Sequence, residues 1–177
     1  SDTVRTRIEN YLASDRVVLF MKGSPQQPMC GFSARTSAIL DSLLPSYTTV
    51  NVLADEEIRQ GIKDFGQWPT IPQVYIDQEL IGGCDILSAM FDSGELHQML
   101  GLPQPDRTPP TIHISDQAAE QIRAAQSQHP NTVVYLSIDA QWEPNFSLRP
   151  SQEADGAVIS ESNGIQVAMD LNTVPRA

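Results

Sequence analysis

Cysteine is scarce in this chain: of 177 residues, only Cys30 and Cys84 carry a thiol. Two are too few for the disulfide framework of a small secreted domain. A structural zinc site would want four Cys or His ligands at suitable spacing. The three histidines, His97, His113 and His129, are scattered and read as surface or helix-end residues rather than ligands. A reducing, cytoplasmic setting is therefore expected. Long apolar runs are missing too. The most apolar stretch, Arg16–Met21, falls far short of the roughly 20 residues that span a bilayer, and it reads as a buried strand. No basic-then-apolar stretch opens the sequence, so no secretory signal is expected. Positive charge is the third shortage: 11 Lys and Arg stand against 22 Asp and Glu, a formal charge of −11. Both halves share it, with 13 acids against 7 bases in residues 1–105 and 9 against 4 in 106–177. Such a chain repels phosphate backbones and anionic lipid, which argues against nucleic acid and membrane as partners.

What is present is enough apolar residue, 40%, to build a real core. The segment Gly101–Pro110 holds four prolines and breaks regular structure. It divides the chain into a first domain, residues 1–105, a proline-rich linker, 106–110, and a second domain, 111–177. In the first, Val4, Ile8, Tyr11 and Leu12 form a helical stripe before a strand at Val17–Met21. A helix over Cys30–Leu44 and a strand over Thr48–Leu53 follow. Asp55 then caps a helix reaching Phe65. Strands Gln73–Asp77 and Glu79–Ile81 turn at Asp77-Gln78, and helices over Ile86–Phe91 and Leu96–Leu100 close the unit. This order predicts an α/β fold, a small mixed sheet with helices on both faces. The second domain reads as a small, mostly β, α+β unit. It has a strand at Thr111–Ser115, a Ser115-capped helix Asp116–Gln128, and a strand at Val133–Ile138. Short strands follow at Ser147–Arg149, Ala157–Glu161 and Ile165–Asp170, the last two turning at Asn163-Gly164.

Chemistry concentrates at Cys30, which opens a predicted helix just after Pro28. Unpaired N–H groups and a partial positive charge at a helix N-terminus favour thiolate over thiol, and Lys22 across the preceding loop adds a full charge. A thiolate there serves equally as nucleophile or metal ligand. Ser33 stands three residues on, where a second cysteine would make an internal disulfide, so the partner thiol comes from elsewhere, as a small molecule. Arg59 and Lys63, four apart on one helix, can jointly hold a carboxylate. Gly82-Gly83-Cys84-Asp85 precedes another helix, where backbone N–H groups can receive a second one. Pro72, leading into a strand, suits a cis peptide that exposes backbone for pairing. Trp68 reads as packing. Cys84 is open among a resolving thiol, a redox-sensitive bystander and a small packed residue, the last being favoured.

Lys22-Gly-Ser-Pro25, Cys30-Gly-Phe-Ser33, Trp68-Pro-Thr-Ile-Pro-Gln73 and Gly82-Gly-Cys-Asp85 together resemble the monothiol glutaredoxins of the Cys-Gly-Phe-Ser type, over roughly residues 1–105. The resemblance implies a thioredoxin-like fold with a four-stranded mixed sheet. It implies a glutathione site made by Lys22, Arg59, Lys63, Ile71, Pro72, Cys84 and Asp85, with Asp85 on the amine and Ile71 pairing through its backbone. Glutathione offers two carboxylates, an amine and a thiol, which match these parts. The family also implies a 2Fe-2S cluster bridging a homodimer, each protomer giving Cys30 and each glutathione its sulfur. Asp77-Gln78 departs from the family, which turns there on glycine.

Residues 111–174 resemble, more distantly, the A-type (HesB/IscA-like) iron–sulfur carriers, through Thr111–Ile122 and Ser162–Asp170. That family binds metal through cysteines, and residues 106–177 contain none. A non-ligating domain for docking or dimerisation is expected, with Trp142 and Phe146 in its core or on a contact surface, core packing being preferred. Three functions compete: a carrier of 2Fe-2S to iron–sulfur assembly or acceptor proteins, a glutathione-dependent thiol-disulfide oxidoreductase acting on glutathione mixed disulfides, and an adaptor.

Overall fold

The computed structural model describes residues 2–139 and 141–177, the side chain of Asp2 excepted. The chain divides into two compact units, the division falling between Leu102 and Pro103.

The first unit runs α1 (Asp2–Ser14), β1 (Val17–Met21), α2 (Gly31–Leu43), β2 (Thr48–Asn51), α3 (Glu56–Gly66), β3 (Gln73–Ile76), β4 (Glu79–Gly82), α4 (Cys84–Ser93) and α5 (Glu95–Met99). Its sheet has the order β2-β1-β3-β4. β1 pairs parallel with β2 and antiparallel with β3, and β3 pairs antiparallel with β4. All five residues of β1 are buried, as expected of a central strand covered on both faces. Val18 and Phe20 point to one side, where Ile8 and Leu12 of α1, Ile58 and Ile62 of α3, and Tyr75 complete a core. Alternation along the strand leaves Val17, Leu19 and Met21 for the opposite face, the side of the α2–α4 pair. The α1–α3 pair is pinned further by Arg7, which contacts Asp55 and lies 3.2 Å from Glu57. Asp55 doubles as the α3 N-cap, accepting from the Ile58 N–H. The β3–β4 turn is formed by Asp77 and Gln78 with φ of 51° and 68°, the left-handed pair of a tight two-residue hairpin. It therefore forms without the family's glycine.

Among its described residues, the second unit has one long helix, α6 (Asp116–Gln128), and four strands, β5 (Thr132–Ile138), β6 (Pro144–Pro150), β7 (Val158–Ser162) and β8 (Ile165–Met169). The sheet order is β6-β5-β8-β7, mixed because β5 and β8 run parallel. Ser115 caps α6 by accepting from the Ala118 N–H at 3.2 Å. Asn163 and Gly164 turn β7 into β8 with φ of 52° and 73°.

Four expectations need correction. Thr111–Ser115 joins no sheet. Its neighbourhood is tied to β7 through side chains instead, Ser160 Oγ donating to the Pro110 carbonyl at 2.6 Å and Ser162 Oγ accepting from the Ile114 N–H at 2.9 Å. β2 stops at Asn51, because the Asn51 side chain accepts from Leu53 N–H at 3.0 Å and winds Val52–Ala54 into a 3-10 turn. His97 falls in the last turn of α5, a helix-end position, but is buried rather than on the surface, packed 5.5 Å from the Phe91 ring. Trp142 and Phe146 are 64% and 65% exposed and pack no core. Phe146 lies on β6, an edge strand of its sheet.

Candidate functional site

Cys30 is the N-cap of α2, with extended backbone (φ −155°, ψ 155°), and its sulfur accepts from the Ser33 N–H at 3.3 Å. Ser33 Oγ lies 3.3 Å from the sulfur and also accepts from the Lys22 N–H at 3.0 Å. Burial pushes the Cys30 thiol up, but the Ser33 hydroxyl, the Ser33 and Phe32 N–H groups and the Lys22 charge together bring it below its ordinary value. Each of those four stabilises a negative sulfur.

The loop before Cys30 is built to hold Lys22 in place. Met29 N–H donates to the Lys22 carbonyl at 2.9 Å, and Gly23 N–H donates to the Asn51 side chain at 3.0 Å. Gly23 has φ of 88°, and a Cβ there would sit 2.3 Å from the Gln27 carbonyl oxygen. Only glycine fits this turn.

Beside the loop lies a cleft of about 590 Å³, within the size range of small-molecule sites. Of the residues expected at the site, Lys22, Lys63, Ile71, Pro72, Cys84 and Asp85 line it together. The Ile71–Pro72 peptide is cis. Cys84, the first residue of α4, is buried, which fits its reading as a small packed residue, and both cysteines are free thiols. Two expected residues do not line the cleft. Cys30 does not, whereas Lys22 and Phe32, whose charge and N–H act on its sulfur, do. Arg59 shares a face of α3 with Lys63, but its Nη1 lies 3.6 Å from Glu56 Oε2.

Several residues that shape the site were not assigned a role from sequence. Gln73 is fully buried and donates from Nε2 to the carbonyls of Trp68 (3.0 Å) and Thr70 (3.3 Å), while its Oε1 accepts from Tyr75 Oη at 2.9 Å. It thereby ties down the Trp68–Pro72 wall of the cleft. The signal for it was a lone amide side chain at the head of an apolar strand. Asn51 and Ser33 act the same way on the Lys22 loop. Trp68, read as packing from sequence, is half-buried and lines the cleft. Its Nε1 is buried with no hydrogen-bond partner among the described residues.

Among the described residues, no group of three or more His, Cys, Asp or Glu is placed to hold a metal ion. Nor is any described helix long and apolar enough to cross a membrane.

The glutaredoxin family model matches residues 17–81. The chain is similar to a protein of Schizosaccharomyces pombe named monothiol glutaredoxin-5, mitochondrial. The two are 48% identical over 103 residues, covering 56% of this chain and 70% of that one. It is also similar to a probable monothiol glutaredoxin 2 of Rickettsia conorii, 50% identical over 93 residues, covering 52% of this chain and 87% of the relative. Among solved structures, the solution structure of reduced poplar apo GrxS14 aligns with a TM-score of 0.51 at 45% identity, over 55% of this chain and 90% of that one. The residues that line the cleft and Cys30 thus sit on a glutaredoxin framework, and the chain belongs to the monothiol glutaredoxin family through its first unit.

Proposed function

We propose that the first unit binds glutathione in the cleft and, together with it, carries a 2Fe-2S cluster between two copies of the chain for delivery to iron–sulfur assembly or acceptor proteins. The observation that carries this proposal is Cys30: a single sulfur at a helix N-terminus, favoured as thiolate by Ser33 and Lys22, with serine where a second cysteine would stand. A lone thiolate is a poor reductant by itself but a sound metal ligand. The donor set fits the cargo. A cluster of this kind takes four thiolates, and Cys30 from each copy plus one glutathione sulfur each makes four.

The cleft suits glutathione by charge. Lys22 and Lys63, with Arg59 on the same helix, offer positive charge to a carboxylate. Asp85 offers a counter-charge to the amine, and the start of α4 at Cys84 offers N–H groups to the other carboxylate. Ile71, ahead of the cis Pro72, supplies backbone for pairing with the cysteinyl portion. A reducing compartment, the cytoplasm in this proposal, keeps both thiols free. The second unit enters the proposal as a cysteine-free relative of the A-type carriers that docks partners. Its Ser115-capped α6 and Asn163-Gly164 hairpin support that relation.

The test is anaerobic reconstitution with iron, sulfide and glutathione, followed by visible absorption and sizing of wild type and Cys30→Ser. A brown dimer needing both glutathione and Cys30 is the expected result. A colourless monomer would overturn the carrier proposal.

The lowered Cys30 thiol also favours a second proposal, glutathione-dependent disulfide chemistry. There the Cys30 thiolate attacks the glutathionyl sulfur of a mixed disulfide, and the substrate thiolate leaves and takes up a proton. A free glutathione thiolate then attacks the Cys30–glutathione bond, releasing glutathione disulfide and restoring Cys30. Turnover of a glutathionylated substrate by the colourless monomer would favour it.

A further inference from the structure

Arg59 and Lys63 are one turn apart on α3, yet they are not equivalently placed. Lys63 lines the cleft and Arg59 does not. Arg59 Nη1 instead lies 3.6 Å from Glu56 Oε2, and Arg59 Nε is buried with no hydrogen-bond partner among the described residues. Glu56 is itself held, its Oε1 accepting from Gln60 Nε2 at 2.9 Å. Positions 56, 59, 60 and 63 recur at spacings of three and four, so they share one helix face. Glu56 is the one acid among those four. It lies in the first turn of α3, where the helix dipole favours a negative charge. The Gln60 hydrogen bond, against a smaller opposing effect of burial, and the Arg59 and Lys63 charges hold its carboxyl below the ordinary range. It is ionised at neutral pH and competes for the cations that a ligand carboxylate needs.

We propose that Glu56 is a built-in competitor for Arg59, occupying it in the ligand-free chain and so setting how tightly the cleft takes a carboxylate-bearing ligand. The inference rests on the glutathione proposal above. Asp85 and the start of α4 account for the γ-glutamyl end, which leaves the glycyl carboxylate for the basic face of α3. Binding then exchanges one pair, Glu56–Arg59, for another, glycyl carboxylate–Arg59. The exchange gains less than a free Arg59 would give. Glu56 therefore acts as a selectivity residue, discounting ligands whose carboxylate does not reach Arg59 well enough to displace it.

The experiment is calorimetric titration of the full chain with reduced glutathione and, separately, with its glycyl ethyl ester. Glu56→Gln should bind glutathione about two- to fivefold more tightly than wild type, the range over which an exposed ion pair competes. The gain should vanish in the Arg59→Gln background and be absent for the ester. Glu57→Gln carries the same change of charge on the same turn, but Glu57 pairs with Arg7, so it should leave affinity unchanged. Wild-type affinity in Glu56→Gln, with Arg59→Gln still weakened, would overturn the inference and leave the glutathione proposal standing. Undiminished affinity in Arg59→Gln would also overturn it. A wild-type chain that binds no glutathione overturns both.

Discussion

Cys30 is governed by groups of unequal strength, which makes its ionisation testable one residue at a time. Its alkylation rate should rise with a midpoint below that of an unperturbed thiol. Ser33→Ala should move that midpoint up, and by more than Lys22→Gln, because a hydrogen bond at 3.3 Å is lost in the first and a solvent-screened charge in the second. Thiolate absorbance against pH checks both, and an unmoved midpoint in Ser33→Ala would refute the assignment. Raising the salt concentration should erase the Lys22 contribution and spare that of Ser33. The same sulfur caps α2, which links its charge to folding. Its folded pKa lies below the unfolded one, so the linked stability is complete above the unfolded value. It is lost as pH falls through the folded value. Urea melts should show stability rising with pH across that interval in wild type and flat in Cys30→Ala.

At the scale of elements, the wall of the cleft depends on one amide. Gln73→Leu removes three hydrogen bonds at once, leaving the Trp68 and Thr70 carbonyls and the buried Tyr75 hydroxyl to find other partners. We expect a loss of about 1–3 kcal/mol in unfolding free energy, with a shift in Trp68 emission read in a Trp142→Phe background. Full stability with unchanged emission would refute the tie. Ser115→Ala should cost about 1 kcal/mol through the lost α6 cap, measured by thermal melting. Such elements differ in how legible they were. β1 and α3 were plain because Val17–Met21 is a short continuous apolar run and Asp55 a standard cap, and both signals are local. Cys30 at its helix start was legible for the same reason. Thr111–Ser115 alternates like a strand, yet whether a segment finds a ladder depends on distant backbone, which no local pattern encodes. The role of Asn51 was hidden likewise, since Gly23 lies far from it in sequence, and that of Gln73 because only the folded Trp68–Pro72 turn brings its partners within reach. Arg59 was assigned by helical spacing and by the family resemblance, which put it on the right face but are blind to Glu56 three residues earlier.

Taken whole, the molecule joins a unit with chemistry to one without cysteine. Each unit has its own core. Residues 1–102 made alone should therefore fold and keep the Cys30 pH profile of the full chain, as alkylation kinetics would show. A fragment that stays unfolded would refute the division. β6 has a consequence at this scale. It is one of the two outer strands of its sheet, and it begins and ends on proline. Asp139 N–H bonds the Glu143 carbonyl and Ser151 N–H bonds that of Asn131, so by alternation the positions between them, Pro144 and Pro150, turn their nitrogens to the open edge. A free strand edge is a template for fibre growth, and here both ends of the template lack a donor. With a charge of −11 on every copy, copies of the chain can be crowded together while this edge resists zipping into fibrils.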